Sequence, residues 1–201
     1  MMRPQMVIIS ENTLNAMALR SLLAEIAKGL DVVCYSSLEE YQRAQAEGVP
    51  HFFVSADVVF RNSEFFREYV RRTVVITDGE AASFVQSGFK TIDVRWSEQA
   101  IAREILSIHS VGHPAGHQAN HPMGGHPHAV AVQTQLSQRE QEVLALMVKG
   151  YINKEIADRL NISLATVIFH RNNISEKLQT RSIGRLTIYA VLNGIVSLSE
   201  I

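Results

Sequence analysis

Along this 201-residue chain the periodicity of apolar residues breaks once, and the break decides what the chain can fold into. Between His109 and Gln133 no apolar repeat is sustained. Pro114, Pro122, Pro127, Gly112, Gly116, Gly124 and Gly125 fall there instead, with six of the eight histidines. Proline removes a backbone donor and glycine widens the backbone's choices, so neither helix nor strand is expected across the stretch. The segments on either side follow different rules, one alternating strand-like and helix-like runs, the other helical throughout. Such a chain makes two separately cored units on a tether: residues 1–108, a linker 109–133, and residues 134–201.

In the first unit, short β-branched or aromatic runs occur at Met6–Ser10, Asp31–Tyr35, His51–Ser55, Thr73–Thr77 and Thr91–Val94. Helical patterns lie between them at Thr13–Lys28, Leu38–Glu47, Ser63–Arg72, Ala81–Gln86 and Glu98–Ile108, the first with Leu14, Met17, Ala18, Leu22 and Ile26 on one predicted apolar face. Five βα units with continuously apolar strands predict a doubly wound α/β fold, a five-stranded parallel sheet covered by helices on both sides. The second unit predicts a separate all-α domain of four helices. Ser137-Gln138-Arg139-Glu140 is a capping box opening a helix that Gly150 stops. Asn153 is expected to cap a second helix over 154–160, and Ser163 a third over 164–179. A fourth is predicted from Ile183 to Val196.

Composition removes whole classes. No apolar run reaches the roughly 18 residues that cross a bilayer, and the amino terminus is too short and too weakly charged to read as a signal peptide, so a cytoplasmic protein without membrane contact is expected. The single cysteine, Cys34, excludes an intramolecular disulfide and any cysteine-based zinc cluster; its apolar neighbours make it core. The net charge of −1 hides an asymmetry: residues 134–201 hold 8 Lys/Arg against 6 Asp/Glu, while residues 1–133 are net acidic. A mildly basic C-terminal third permits contact with a polyanion.

The connection Asn161-Ile162-Ser163 between the second and third helices has the length of a helix-turn-helix. Leu136-Ser137-Gln138-Arg139-Glu140-Gln141-Glu142-Val143-Leu144, Gly150-Tyr151-Ile152-Asn153-Lys154-Glu155-Ile156-Ala157, then Ser163, Thr166-Val167, His170, Ile174 and Lys177-Leu178 resemble the LuxR/FixJ-type DNA-binding domain over residues 134–198. That resemblance implies a transcriptional regulator binding double-stranded DNA as a homodimer, with the helix 164–179 in the major groove. Helical geometry places Val167, Ile174 and Leu178 inward and Ala165, Ile168, Phe169, Asn172 and Asn173 outward. Thr166, near the helix start, can donate to a phosphate. By resemblance Lys154 reaches the DNA backbone, and His170 and Lys177 brace the helix or approach phosphates. The sequence departs from the family where a basic residue often follows Thr-Val and another comes four positions later; here these are Ile168 and Asn172. Either Phe169 tucks against a neighbouring helix, or Ile168 and Phe169 press on thymine methyls while Asn172 bonds adenine, which predicts an A/T-rich half-site. The broad apolar stripe of the last helix (Ile183, Leu186, Tyr189, Ala190, Leu192, Ile195, Val196) serves either a dimer contact or an intramolecular core.

The first unit resembles a response-regulator receiver domain, through Val7-Ile8-Ile9, Leu19-Arg20-Ser21-Leu22-Leu23 and Thr77. Receivers phosphorylate an aspartate after the third strand beside an acid pair that holds Mg²⁺, with a lysine after the fifth strand. Here the acid pair falls on Ser10 and Glu11, the acceptor position on Ala56 with Asp57 one residue later, and the lysine position on Arg95. Too few hard oxygen ligands remain for Mg²⁺. The resemblance therefore implies a pseudo-receiver with no phosphoacceptor, a module for a protein partner or for dimerisation; Asp57 is the one residue that could still accept a phosphoryl group.

His109, His113, His117 and His121 recur every four residues, followed by His126 and His128. Neutral imidazoles on a flexible chain can gather around Zn²⁺ or Ni²⁺, with His113, His117, His121, His126 and His128 as ligands. Two roles fit the stretch: a polar tether, or a metal-sensing segment that would make the protein a metal-responsive regulator or metal binder. No nucleophile–base pair, phosphate-cradling glycine loop or HExxH motif points to an enzyme.

Overall fold

The computed structural model describes residues 5–26, 31–44, 48–110 and 135–201. Five strands, β1 (Gln5–Ile9), β2 (Asp31–Tyr35), β3 (His51–Ser55), β4 (Thr73–Thr77) and β5 (Lys90–Asp93), form one parallel sheet in the order 2-1-3-4-5. The helices between them are α1 (Thr13–Ile26), α2 (Leu38–Arg43), α3 (Ala56–Arg61), α4 (Ser63–Glu68) and α5 (Ala82–Gln86), and α6 (Glu98–Ser110) follows the last strand. Registers such as Val7 against Phe52 and Val54 against Val75 align the strands so that both faces are apolar. Met6, Ile8, Phe53, Val74 and Ile92 face α1 and α6. Val7, Ile9, Phe52, Val54 and Val75 face the opposite layer, where Phe52 meets the edges of the Tyr41, Phe65 and Phe66 rings.

Two elements of the sheet domain, one on each face, differ most from the sequence expectation. Helix α3 was not expected: Val58-Val59-Phe60 is strand-like in composition, and the segment is helical because Val58 and Val59 bury against the sheet while Asp57 and Arg61 lie one turn apart. In α1, Leu14 and Met17 are 77% and 63% exposed, whereas Ala16 and Leu23 are buried, with Leu19, Leu22 and Ile26 beside them. The true inward face is rotated from the predicted one; α1 is apolar over so much of its surface that counting apolar residues does not locate the sheet.

The C-terminal domain consists of α7 (Gln138–Val148), α8 (Asn153–Leu160), α9 (Leu164–Lys177) and α10 (Ile183–Leu192) around Val143, Leu144, Ile156, Val167, Ile174 and Ala190. The Ser137 capping box is present: the Glu140 N–H donates to Ser137 Oγ at 3.3 Å, and the Ser137 N–H to Glu140 Oε2 at 2.7 Å. Asn153 is the first helical residue of α8 rather than its cap; the cap position is Ile152, whose N–H donates to Glu155 Oε2 at 2.9 Å. α10 stops four residues short of the predicted Val196, because the chain turns at Gly194 with φ +69. The positive φ is what favours glycine there; a Cβ would meet only the Arg67 guanidinium, the end of a long side chain that can move aside.

The two domains touch through α10. Leu192 is buried within the sheet-domain core, and Ile188 packs beside it. Phe60 of α3 packs reciprocally against the helical core. Polar contacts frame this seam. Arg185 Nη2 donates to Glu80 Oε1 at 2.7 Å, Gln86 Nε2 to the Leu178 carbonyl at 3.0 Å, and Asn193 Nδ2 to Ser87 Oγ at 2.9 Å. The apolar excess of α10, one candidate for a dimer contact, is thus covered within the chain, apart from Ile183 at 53% exposure.

Candidate nucleic-acid interface

Ser163 Oγ accepts the Thr166 N–H at 3.1 Å and so caps α9, which fixes where the helix starts relative to α8. Val167, Ile174 and Leu178 are buried as predicted, and this seats α9 on the domain core with its opposite side outward. That side carries Ala165, Ile168, Phe169 and Asn172, all exposed, while Asn173 is half-buried. Phe169 is 59% exposed, so its ring does not tuck fully against a neighbouring helix; its edge contact is with the ring of His170, at 5.7 Å.

Thr166 and His170 are half-buried. The Thr166 hydroxyl shares a 2.8 Å hydrogen bond with Ser163 Oγ at the N-terminal end of α9, and His170 has its Nδ1 buried without a hydrogen-bond partner among the described residues. Lys154 is exposed in the first turn of α8 and forms no ion pair among the described residues. Lys177 is different. Its Nζ donates to Glu140 Oε2 at 2.6 Å, and that carboxylate is almost fully buried. Burial works against ionisation of Glu140, but the Lys177 ammonium and the Ser137 donors outweigh it and hold the Glu140 pKa below its ordinary value. Lys177 therefore neutralises a buried charge and braces the helix, the first of the two roles expected for it.

Sequence reasoning missed Arg171, whose Nη1 donates to Asn153 Oδ1 at 2.8 Å and ties α9 to the start of α8. The partner came from a distant turn, so no local spacing announced it. The outward face of α9 holds no cation, and the next exposed position along it is Glu176. Positive charge lies instead at Lys154, at Arg171, and at Arg159, which covers the Tyr151 ring at 4.1 Å.

At the carboxyl ends of the sheet strands, the residues at receiver positions are engaged by neighbouring groups of the same domain. Arg61 Nη2 donates to Glu11 Oε1 at 2.8 Å and to Asp57 Oδ2 at 2.6 Å, placing a guanidinium between the two remaining acids. Those contacts raise the Arg61 pKa, Asp57 contributing first. The Asn12 N–H donates to Ser10 Oγ at 3.2 Å, and buried Thr77 donates to the Ile92 carbonyl at 3.4 Å. Arg95 grips Asp93 through Nε and Nη2 at 3.1 and 3.0 Å, and this pulls the Asp93 pKa down to about 2. Arg61 was also missed, though its spacing from Asp57 is one helical turn; the signal was readable only once residues 56–61 were known to be helical. The linker histidines His113, His117, His121, His126 and His128 lie outside the described residues.

Residues 134–190 match the family described as bacterial regulatory proteins, luxR family. Among curated relatives, the oxygen regulatory protein NreC of Staphylococcus carnosus is 48% identical over 56 residues, which is 28% of this chain and 26% of the relative. The transcriptional regulatory protein MctR of Rhizobium johnstonii is 45% identical over 62 residues, 31% of this chain and 29% of that one. The matched part thus spans about a quarter of the length of these relatives. Among solved structures, RcsB from Salmonella enterica serovar Typhimurium, bound to promoter rprA in the presence of phosphomimetic BeF3−, aligns with TM-score 0.66 at 14% identity. The alignment covers 96% of this chain and all of that one. Two RcsB dimers on two parallel DNAs give a TM-score of 0.64 at 13% identity, covering 95% and 99%. Likeness at this level concerns the fold, a receiver-like sheet domain followed by a helix-turn-helix domain.

Proposed function

We propose, because residues 134–190 match the luxR family of bacterial regulatory proteins and a receiver-like sheet domain precedes them, that the chain is a DNA-binding transcriptional regulator whose output does not depend on phosphorylation. The observation that carries the DNA-binding reading is α9 itself, capped at Ser163, seated by Val167 and Ile174, and presenting Ile168, Phe169 and Asn172 to solvent. A helix held in this way enters a major groove with its exposed side chains on the base edges. Asn172 suits adenine, and Ile168 and Phe169 suit the thymine methyl, so the preferred half-site is A/T-rich. With no cation on that face, backbone affinity falls to Lys154 and to the phosphates that the start of α9 can accept beside Thr166.

Phosphorylation independence is supported by the Arg61 guanidinium held between Glu11 and Asp57, and by the Asp93 partner that occupies Arg95. An internal cation there does the charge-neutralising work of a metal ion without offering an open coordination position. Homodimerisation on DNA fits the family, and the surface of α10 that would serve it is covered by the sheet domain, so a dimer through α10 requires the two domains to part. No helix among the described residues is long and apolar enough to cross a membrane. Selecting bound duplexes from a random pool tests the central reading: enrichment of an A/T-rich, two-fold repeated motif is expected, and recovery of no motif would overturn it.

A further inference from the structure

Between the sheet and the pair α1 and α6 lies a cavity of about 220 Å³ that no part of the DNA-binding reading uses. Its floor is Ile8, Phe53, Ile76 and Ile92, and Leu19 and Leu22 of α1 form a wall. No lysine, arginine, aspartate or glutamate lines it. The polar groups are gathered at one end, where the strands finish: Ser10, Asn15 and Ser55. The Ser10 hydroxyl is taken by the Asn12 N–H, and Asn15 is exposed at the rim. The Ser55 Oγ is buried and makes no well-formed hydrogen bond among the described residues, although it lies close enough to the Asp57 carboxylate to help hold that group ionised. A buried hydroxyl so weakly engaged is uncommon in a well-packed domain and can take up a better partner.

We infer that this cavity binds a small uncharged ligand, on the order of ten non-hydrogen atoms, apolar except for one hydroxyl or carbonyl group that meets Ser55. The apolar lining excludes ions, because a charge would be desolvated there without a counter-charge. The volume excludes nucleotides and most cofactors. Binding requires the Ser55 side chain to turn about its Cα–Cβ bond, because its hydroxyl oxygen is closed off as it stands. The inference rests on the phosphorylation-independent reading, since a ligand here would supply the input that the altered acceptor site does not. It also has a route to the output: β3 ends at Ser55 and α3 begins at Ala56, and Phe60 of α3 packs against the helical domain. Displacement of Ser55 is thereby passed directly into the seam that covers α10.

Benzyl alcohol and its hydroxyl-free isostere ethylbenzene are suitable probes, with benzoate as the charged control. Amide chemical shifts of the full-length protein should respond saturably to benzyl alcohol at about millimolar concentration, as its size allows, with the largest shifts around Ser55, Leu19 and Val94 and further shifts reaching Phe60. Benzoate should bind at least tenfold more weakly. Ser55→Ala removes the hydroxyl and adds no atoms; it should weaken benzyl alcohol at least fivefold and leave ethylbenzene nearly unchanged. Ala18→Phe, at an exposed rim position that tolerates a larger side chain, should block both probes. The inference is overturned if benzyl alcohol does not saturate, if Ser55→Ala leaves the preference for the alcohol intact, or if folded Ala18→Phe binds both probes normally. Incubation with acetyl phosphate and Mg²⁺ separates the two readings. A phosphoryl group on Asp57 would defeat phosphorylation independence, and the titration would still decide the cavity.

Discussion

The two domains have kept different things. The helical domain retains enough sequence for 45–48% identity to named regulators, whereas the sheet domain shares its architecture with solved structures at 13–14% identity over the whole alignment. A parallel sheet needs only apolar strands on both faces and helices that cover them, and many sequences meet that requirement. The chemistry of a receiver needs particular acids and a cation at a few strand ends, and here the groups at those positions are tied up in the ion pairs Glu11–Arg61–Asp57 and Asp93–Arg95. A DNA-reading helix has less freedom than either, because its angle, its start and its inward face must all be held at once.

The strongest way to break this comparison is to remove a support that the helical domain needs for folding rather than for DNA. Lys177→Ala strands the Glu140 carboxylate in the core and should cost about 2–3 kcal/mol of stability, read by chemical denaturation. Non-specific DNA affinity of the folded fraction should hardly change. A large loss of affinity with unchanged stability would return Lys177 to the DNA backbone. The same pair sets the acid limit. Because the folded pKa of Glu140 lies below its ordinary value of 4.5, its contribution is fully present above pH 4.5 and is lost as the pH falls through the folded value. Glu140→Gln should flatten that part of the stability–pH curve.

Next in size is the division of labour on the DNA surface. Asn172→Ala should narrow the gap between cognate and scrambled duplexes by about 1–3 kcal/mol and leave the salt dependence alone. Lys154→Ala should weaken both duplexes about equally and lower the salt slope by about one unit. Phe169→Ala should follow Asn172→Ala, since the ring is exposed and carries little of the core. Unaltered discrimination in Asn172→Ala would misplace the reading face.

The sheet domain should give smaller effects. Intact mass after treatment with a small phosphodonor and Mg²⁺ is expected to be unchanged, and Asp57→Ala to leave DNA affinity within twofold. Arg61→Ala frees both acids, at a stability cost of no more than about 1 kcal/mol, because all three side chains are half exposed. If that variant gains a phosphoryl group where the parent does not, the guanidinium is what keeps the site closed. The least effect on DNA is expected from the linker. Calorimetry should detect Zn²⁺ or Ni²⁺ at micromolar or tighter affinity, weakening below about pH 6 as the imidazoles protonate, and lost when the six linker histidines are changed to Ser.

Strand composition and spacing alone determined the five strands, within about one residue at each end, because β-branched runs between turn residues have few other uses. The inward set Val167, Ile174 and Leu178 and the Ser163 cap were likewise legible, since both depend on positions within one helix. Contacts between distant parts of the chain were not. Arg61 between Glu11 and Asp57, Lys177 on Glu140, Arg171 on Asn153, the rotation of α1, and the covering of α10 by the sheet domain each join groups whose separation in sequence bears no relation to their distance in space. Local pattern reports the period of an element and the chemistry of its ends, because these arise from the backbone of neighbouring residues. Which charge meets which, and which apolar face stays free for a partner, depends on how the elements pack, and so only the tertiary structure decided them.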